Sequence, residues 1–158
     1  MMKNSRQILI ENLKKYFSIQ ELVSKAVYDK WGERAWKFLD EKLLSVLIIL
    51  RRDILRVPLV CNDWKYGGKN QQRGLRENIA PLVSTKTSAN KMYLSAHIFG
   101  KALDLVSAKM PACEMRRKIM ENSFLLPCAI RMEDGVNWLH IDVMTDVDAK
   151  DDITLFKD

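Results

Sequence analysis

Apolar residues recur at Trp36, Leu39, Leu43, Leu47, Leu50 and Ile54, a one-sided stripe at three-to-four spacing that predicts a main core helix from Glu33 to about Leu55. Pro58 closes it, because a residue without a backbone N–H cannot continue the ladder. Upstream, Ser18 followed three residues later by Glu21 is a capping-box pattern, with Phe17 ahead of it and Leu22, Val23, Ala26 and Val27 behind it at helical spacing. A short helix is expected to begin near Ile19. Pro111 suits the first position of another helix, Ala112 to about Asn122, with Met115, Ile119 and Met120 on the buried side. The period changes to two in Cys128 to Glu133 and in Trp138 to Met144, and Asp134-Gly135 between them is a turn signal, so these form a β-hairpin.

Leu59-Val60-Cys61 reads as a short strand, and another strand carries Ala102, Asp104 and Val106 on one side. From Asn62 to about Asn90 runs a loop rich in Gly, Asn, Gln and Lys, and a loop of that length in a compact domain is expected to hold substrate contacts. The acidic tail after Asp146 reads as solvated. Asp146, Asp148 and Asp152 within it lack the glycine and the closing glutamate of a calcium loop. The expected fold is α+β, helices packed on a small antiparallel sheet, in a single domain whose core spans about 17–144 with both ends peripheral.

A length of 158 residues suffices for one core and is short for two. With 47% hydrophobic and 29% charged residues the chain is of globular rather than disordered composition. The longest apolar run, Leu43 to Leu50, is broken by Ser45 and closed by Arg51 and Arg52, far below the roughly 20 residues of a membrane span. Met1 to Lys15 lacks the apolar segment and cleavage site of a secretory signal, so synthesis into the cytoplasm is expected. Three cysteines, Cys61, Cys113 and Cys128, are odd in number and without C-x-x-C spacing, and are expected as buried apolar thiols. The net charge of +6 favours anionic partners, whether nucleic acid, acidic glycan or cell-wall polymer, without choosing among them.

The chain has two histidines, His97 and His140. In Ser95 to Asp104, Gly100 lets the backbone turn between His97 and the strand bearing Asp104, so imidazole and carboxylate can converge, and the small Ala102 leaves room beside them. In Trp138 to Asp142, alternation puts His140 and Asp142 on one strand face. Two nitrogens and one carboxylate oxygen, with a fourth position for water, are the ligand set of a catalytic zinc site, and the chemistry implied is hydrolysis. Either hairpin register, with a two- or a four-residue turn, puts Arg131 and Glu133 on that same face, which makes Glu133 the candidate general base. Asp142 ranks behind Asp104 and is expected to support a ligand rather than be one, because adjacent positions on a strand face diverge from a single ion. Its alternatives are ordinary: a histidine on a half-buried strand is often a packing residue, and Glu133 beside Arg131 is equally an exposed ion pair.

Ser95-x-His97-x-x-Gly100-x-Ala102-x-Asp104 followed by Trp138-x-His140-x-Asp142 resembles the zinc D-Ala-D-Ala carboxypeptidase and L-alanyl-D-glutamate peptidase family, whose fold is shared with hedgehog signalling domains. The resemblance spans roughly Phe17 to Met144. It implies His97, Asp104 and His140 as ligands of Zn2+, bacterial peptidoglycan stem peptides as substrate, and a phage or prophage lysis enzyme that acts on the cell wall as the context. Arg73-Gly74-Leu75-Arg76 is similar to the family's Gly-Tyr-Arg segment, which implies that Arg76, with Arg73 as its rival, grips a substrate carboxylate or the developing oxyanion. Ser95 and Trp138 join the two arginines as expected substrate contacts. Asn137 and Trp138 stand where relatives often carry an acid or a histidine, so Glu133 is an inference from the hairpin and not a motif match. The rival class is a binding module without catalysis, on cell-wall polymer or on nucleic acid, since Lys65, Lys69, Arg73 and Arg76 alternate with Trp64 and Tyr66. The peptidase reading expects no nucleic acid.

Overall fold

A computed structural model describes residues 4–146 and 149–157. The chain is α+β. Its elements are α1 (Ser5–Leu13), α2 (Ile19–Leu22), α3 (Lys25–Trp31), α4 (Glu41–Ile49), α5 (Pro81–Ser88), β1 (Ala102–Leu105), α6 (Ala112–Glu121), β2 (Ile130–Glu133), β3 (Leu139–Asp142) and β4 (Ile153–Phe156), with short 3₁₀ turns between some of them. The sheet order is β1-β3-β2-β4. Among the described residues no helix is long and apolar enough to cross a membrane.

The apolar stripe is buried at all six positions, but it is not one helix. Gly32–Phe38 is 3₁₀, the chain is extended at Leu39, Asp40 caps α4 by accepting from Lys42 N at 2.8 Å, and Leu50–Ile54 widens into a π turn. The break at Leu39 and Asp40 coincides with a bond from Asp40 N to Gly100 O, which ties the helical layer to the turn before β1. Spacing shows which side of a segment is buried; it does not reveal where the ladder is interrupted.

The Ser18 backbone N–H and hydroxyl both donate to the Glu21 carboxylate at the start of α2, as the pattern predicts. That helix stops at Leu22, because Val23 turns extended and bridges Leu75, and Ser24 then caps α3. Leu59-Val60-Cys61 is reduced to one bridge, Val60 to Val106. In α6, Met115 and Ile119 are buried, while Met120 points outward and is 43% exposed. Of the cysteines only Cys61 is buried, and its burial pushes the thiol pKa up; Cys113 is exposed and Cys128 half-buried.

Both ends depart further from expectation. The N-terminal α1, closed by a capping box between Asn4 and Gln7, buries Leu13 in the core. The tail supplies β4, which pairs parallel with β2, so the sheet is mixed and not antiparallel throughout. Asp148 lies outside the described residues. The acidic residues ahead of it concealed β4, since Ile153-Thr154-Leu155-Phe156 is apolar in three of four positions but is a run too short to mark a strand until its backbone pairs with β2.

Register decides what the sheet presents. β1 and β3 pair antiparallel with Ala102 opposite Asp142 and Asp104 opposite His140, and β2 joins β3 with Arg131 opposite Asp142. The hairpin loop is therefore longer than either turn considered, but it shifts the pairing by an even number, and the face is unchanged. Leu103, Leu105, Ile130, Met132, Leu139 and Ile141 form the core face. Ala102, Asp104, Arg131, His140 and Asp142 share the opposite face.

Candidate metal centre

Two features bring His97 to that polar face. Gly100, at φ +66°, has no room for a side chain, because a Cβ there would fall on the Phe38 carbonyl. The backbone turns at this point with Lys101 N bonded to Ala96 O at 2.9 Å, which folds His97 back over β1. The segment Arg73–Leu75 closes against it from the other side: Arg73 O accepts from Asp104 N at 2.8 Å and Leu75 N donates to Leu22 O at 3.0 Å. Gly74 packs so tightly on Leu22 that a Cβ would collide with the Leu22 carbonyl. Asn62, buried, fixes the same segment by donating to Val23 O at 3.1 Å and accepting from Arg73 N at 2.9 Å.

Candidate ligand atoms of His97, Asp104 and His140 all lie within 4.8 Å of one another, and all three residues are buried. His140 Nδ1 is 2.7 Å from Asp104 Oδ1, and His97 Nε2 is 3.4 Å from Asp104 Oδ2. Tetrahedral donors about 2.0–2.2 Å from a zinc-type ion stand roughly 3.4 Å apart, so the set is close to the size of such a site. The other ring nitrogens are each held: His97 Nδ1 donates to Gly74 O at 3.0 Å, and His140 Nε2 donates to Asp142 Oδ2 at 3.0 Å. Metal-binding imidazoles are commonly oriented in this way, by a carbonyl or carboxylate behind the ring. The residues thus fit a divalent cation held by two nitrogens and one oxygen.

Asp142, fully buried, receives Arg131 through both carboxylate oxygens at 2.9 and 3.0 Å and also Met144 N at 2.9 Å. It stands behind His140, on the side away from Asp104. Burial alone would raise the pKa of both aspartates, but the hydrogen bonds from His140 and from His97 or Arg131 outweigh it and hold both carboxyls below the usual range. Burial likewise opposes charge on His140, and its bonds to Asp104 and Asp142 overcome this, raising it from 6.5 to about 9.

A cleft of about 360 Å³ opens onto the three residues and is also lined by Arg76, Tyr93, Ser95, Arg131, Glu133, Trp138, Asp142 and Phe156, among others. The structure thus brings Ser95, Arg76, Glu133 and Trp138 to the site. Arg76 does not pair with its neighbour Glu77, which accepts from the Ser24 hydroxyl; its guanidinium reaches Asp104 Oδ2 at 3.3 Å and Tyr93 Oη at 2.7 Å. Arg73 lines the adjoining groove instead, its guanidinium 5.9 Å from the Trp138 ring. Trp64 turns inward, donating to Val23 O at 3.0 Å, while Tyr66 is exposed, so the basic and aromatic residues of this stretch do not form one continuous face.

Sequence reasoning missed Tyr93 and Phe156. The Tyr93 hydroxyl steadies Arg76, and its only signal was its position two residues before the Ser95 motif. Phe156 meets the His140 ring edge-on at 5.5 Å and lies 4.9 Å from the Arg131 guanidinium, a contact that depends wholly on β4. The expected long loop contains α5, which Pro81 at its first turn signals. The chain matches no protein-family profile, no curated protein and no solved structure.

Proposed function

We propose that the chain is a zinc-dependent peptidase of the hedgehog/DD-peptidase fold that hydrolyses peptide bonds in peptidoglycan stem peptides. One observation carries the reading: the two halves of the sequence motif, thirty-six residues apart at Asp104 and His140, bring two imidazoles and a carboxylate to one point at the base of a cleft. Bound there, a zinc ion supplies a Lewis acid and lowers the pKa of water to near neutrality.

The chain's own residues supply the rest. Gly74 O and Asp142 keep the His97 and His140 rings oriented toward Asp104. Arg76, held by Tyr93 and Asp104 at the cleft wall, offers fixed N–H donors to the oxygen that gains charge as the peptide carbonyl is attacked. Glu133, on the cleft face at the end of β2, takes the proton of the attacking water and returns it to the leaving amine. Ser95 and Trp138 line the same cleft and contact the peptide. A positive net charge keeps the protein on anionic wall polymer.

Metal analysis of the purified protein and of His140→Ala, together with incubation on purified peptidoglycan and mass analysis of released peptides, tests the proposal. Stoichiometric zinc lost in the variant and a new peptide terminus are expected. Folded, metal-loaded protein that leaves the peptides intact would overturn catalysis in favour of a binding module, a reading that Asn137 favours by standing where an acid is usual.

A further inference from the structure

A cavity of about 630 Å³, larger than the metal-centre cleft, adjoins it: Arg76 and Tyr93 line both, so one ligand can occupy the two together. Its walls are mainly apolar and aromatic. Trp31 and Phe38 pack edge to face at 5.0 Å, and Phe99, 48% exposed, leaves its ring without an aromatic or cationic neighbour among the described residues. Two polar side chains stand in this lining and take no part in the metal centre. Glu77 accepts from the Ser24 hydroxyl, which caps α3, through Oε2; its Oε1 takes no bond from the described residues and keeps surface open to solvent. Asn78 is exposed, and its amide is likewise unbonded among the described residues.

The lining selects against three kinds of occupant. A cation would approach Arg76 and a Trp31 ring that already has Lys37 Nζ 4.0 Å from its centroid. An anion would face Glu77, while the nitrogens of Arg76 are already bonded to Gln72 O, Tyr93 Oη and Asp104 Oδ2. A wholly apolar chain would strip water from Glu77 and Asn78 and return no hydrogen bond. What fits is a neutral ligand with an apolar face and donors around its edge. A pyranose has both: its C–H face lies on an aromatic ring, and its hydroxyls donate to a carboxylate oxygen and an amide. Cavities of this size, apolar with a few placed polar groups, are usual for small ligands. No side chain of a stem peptide has that chemistry, since its alanines are small and its other residues charged, but the sugar that carries the peptide does.

We infer that the cavity bounded by Trp31, Glu77, Asn78 and Phe99 is a glycan subsite, which holds the N-acetylhexosamine joined to the stem peptide while the peptide lies in the metal-centre cleft. The inference rests on the peptidase reading for which glycan is bound, but the chemistry of the cavity does not require turnover. It makes Arg76 and Tyr93 the wall between sugar and scissile bond, and it makes the protein prefer peptide still attached to its sugar over free peptide.

The test titrates N,N′-diacetylchitobiose, a neutral disaccharide of N-acetylglucosamine, into zinc-supplemented protein while the indole N–H resonances are followed by NMR. Trp31→Phe and Trp138→Phe assign two of these resonances by their loss. The disaccharide is expected to shift the Trp31 resonance saturably and to leave that of Trp138, in the metal-centre cleft, unmoved. Phe99→Ala, at an exposed position, should weaken the disaccharide roughly ten-fold, the effect of losing one stacked ring. In hydrolysis, the stem pentapeptide carried on GlcNAc-MurNAc should show a KM roughly ten-fold below that of the free pentapeptide with kcat little changed, the mark of binding energy remote from the reacting bond, and Phe99→Ala should narrow that gap. N-acetyl-lysine amide and 1-octanol stand for a cationic and an apolar occupant; either one that shifts Trp31 as strongly as the disaccharide overturns the subsite. So does a Trp31 resonance that responds to no sugar, or an equal KM for the two peptides in an active enzyme; these results on the wild-type protein stand whether or not the variants fold. A sugar-dependent shift without hydrolysis of either peptide keeps the subsite and removes the peptidase, and hydrolysis of both with one KM and no sugar-dependent shift does the reverse.

Discussion

Replacing Gly74 by alanine tests how the backbone holds the metal centre. A Cβ at this position would lie 2.0 Å from the Leu22 carbonyl oxygen and 2.6 Å from its carbon, both backbone atoms that cannot rotate away. Segment 73–75 must therefore move, and three bonds depend on it: Leu75 N to Leu22 O at 3.0 Å, Asp104 N to Arg73 O at 2.8 Å, and His97 Nδ1 to Gly74 O at 3.0 Å. Overpacking costs about 1–3 kcal/mol, and each weakened bond adds about 0.5–1.5 kcal/mol. With one or two of the three bonds lost, the variant should be about 2–6 kcal/mol less stable. His97 loses the carbonyl that orients it, so zinc affinity should fall about 10- to 100-fold beyond any effect of unfolding. Urea melts of the metal-free protein give the first number, and competition with a chromophoric chelator under conditions where the variant is folded gives the second. A Gly74→Ala protein that melts with the wild type and binds zinc equally would refute the account of how His97 is positioned.

Asp142→Asn should lower stability by about 1–3 kcal/mol, since Arg131 and His140 Nε2 lose a charged acceptor, and should weaken zinc about 10- to 100-fold without abolishing it; denaturation and chelator competition read the two effects. Asp104→Asn, which leaves both histidines in place, should remove zinc at stoichiometric concentrations, as metal analysis after dialysis would show. Because His140 in the metal-free site is raised to about 9, zinc uptake at pH 7 should release about one proton, measurable by calorimetry in buffers of different ionisation enthalpy. For the metal-free protein the same shift adds stability that is full below pH 6.5 and lost as pH rises through about 9, while the lowered carboxyls of Asp104 and Asp142 add stability that is present above 3.8 and lost on acidification; urea midpoints should fall on both sides of that window. Phe156→Ala should cost about 1–2 kcal/mol, less than a fully buried phenylalanine, because Phe156 is only half-buried.

What the sequence determined by itself was set by local period and by residue chemistry. The alternation in Leu139 to Asp142 fixed which side chains share a face, and parity protected that assignment even though the hairpin loop is longer than either turn allowed for. Gly100 marked the turn, and the scarcity of histidine confined a two-imidazole site to His97 and His140. The apolar stripe identified a buried side because burial follows spacing whether the backbone is α, 3₁₀ or π. Tertiary structure alone decided what depends on distant backbone. The stop at Val23 needs Leu75 to bridge it, and β4 needs the free edge of β2, since a four-residue apolar run behind an acidic stretch does not become a strand until a partner edge pairs with it. The division between Arg73 and Arg76 is of the same kind: three residues apart and chemically alike, they are separated only by what folds beside them, Tyr93 and Asp104 at one and the Trp138 ring at the other.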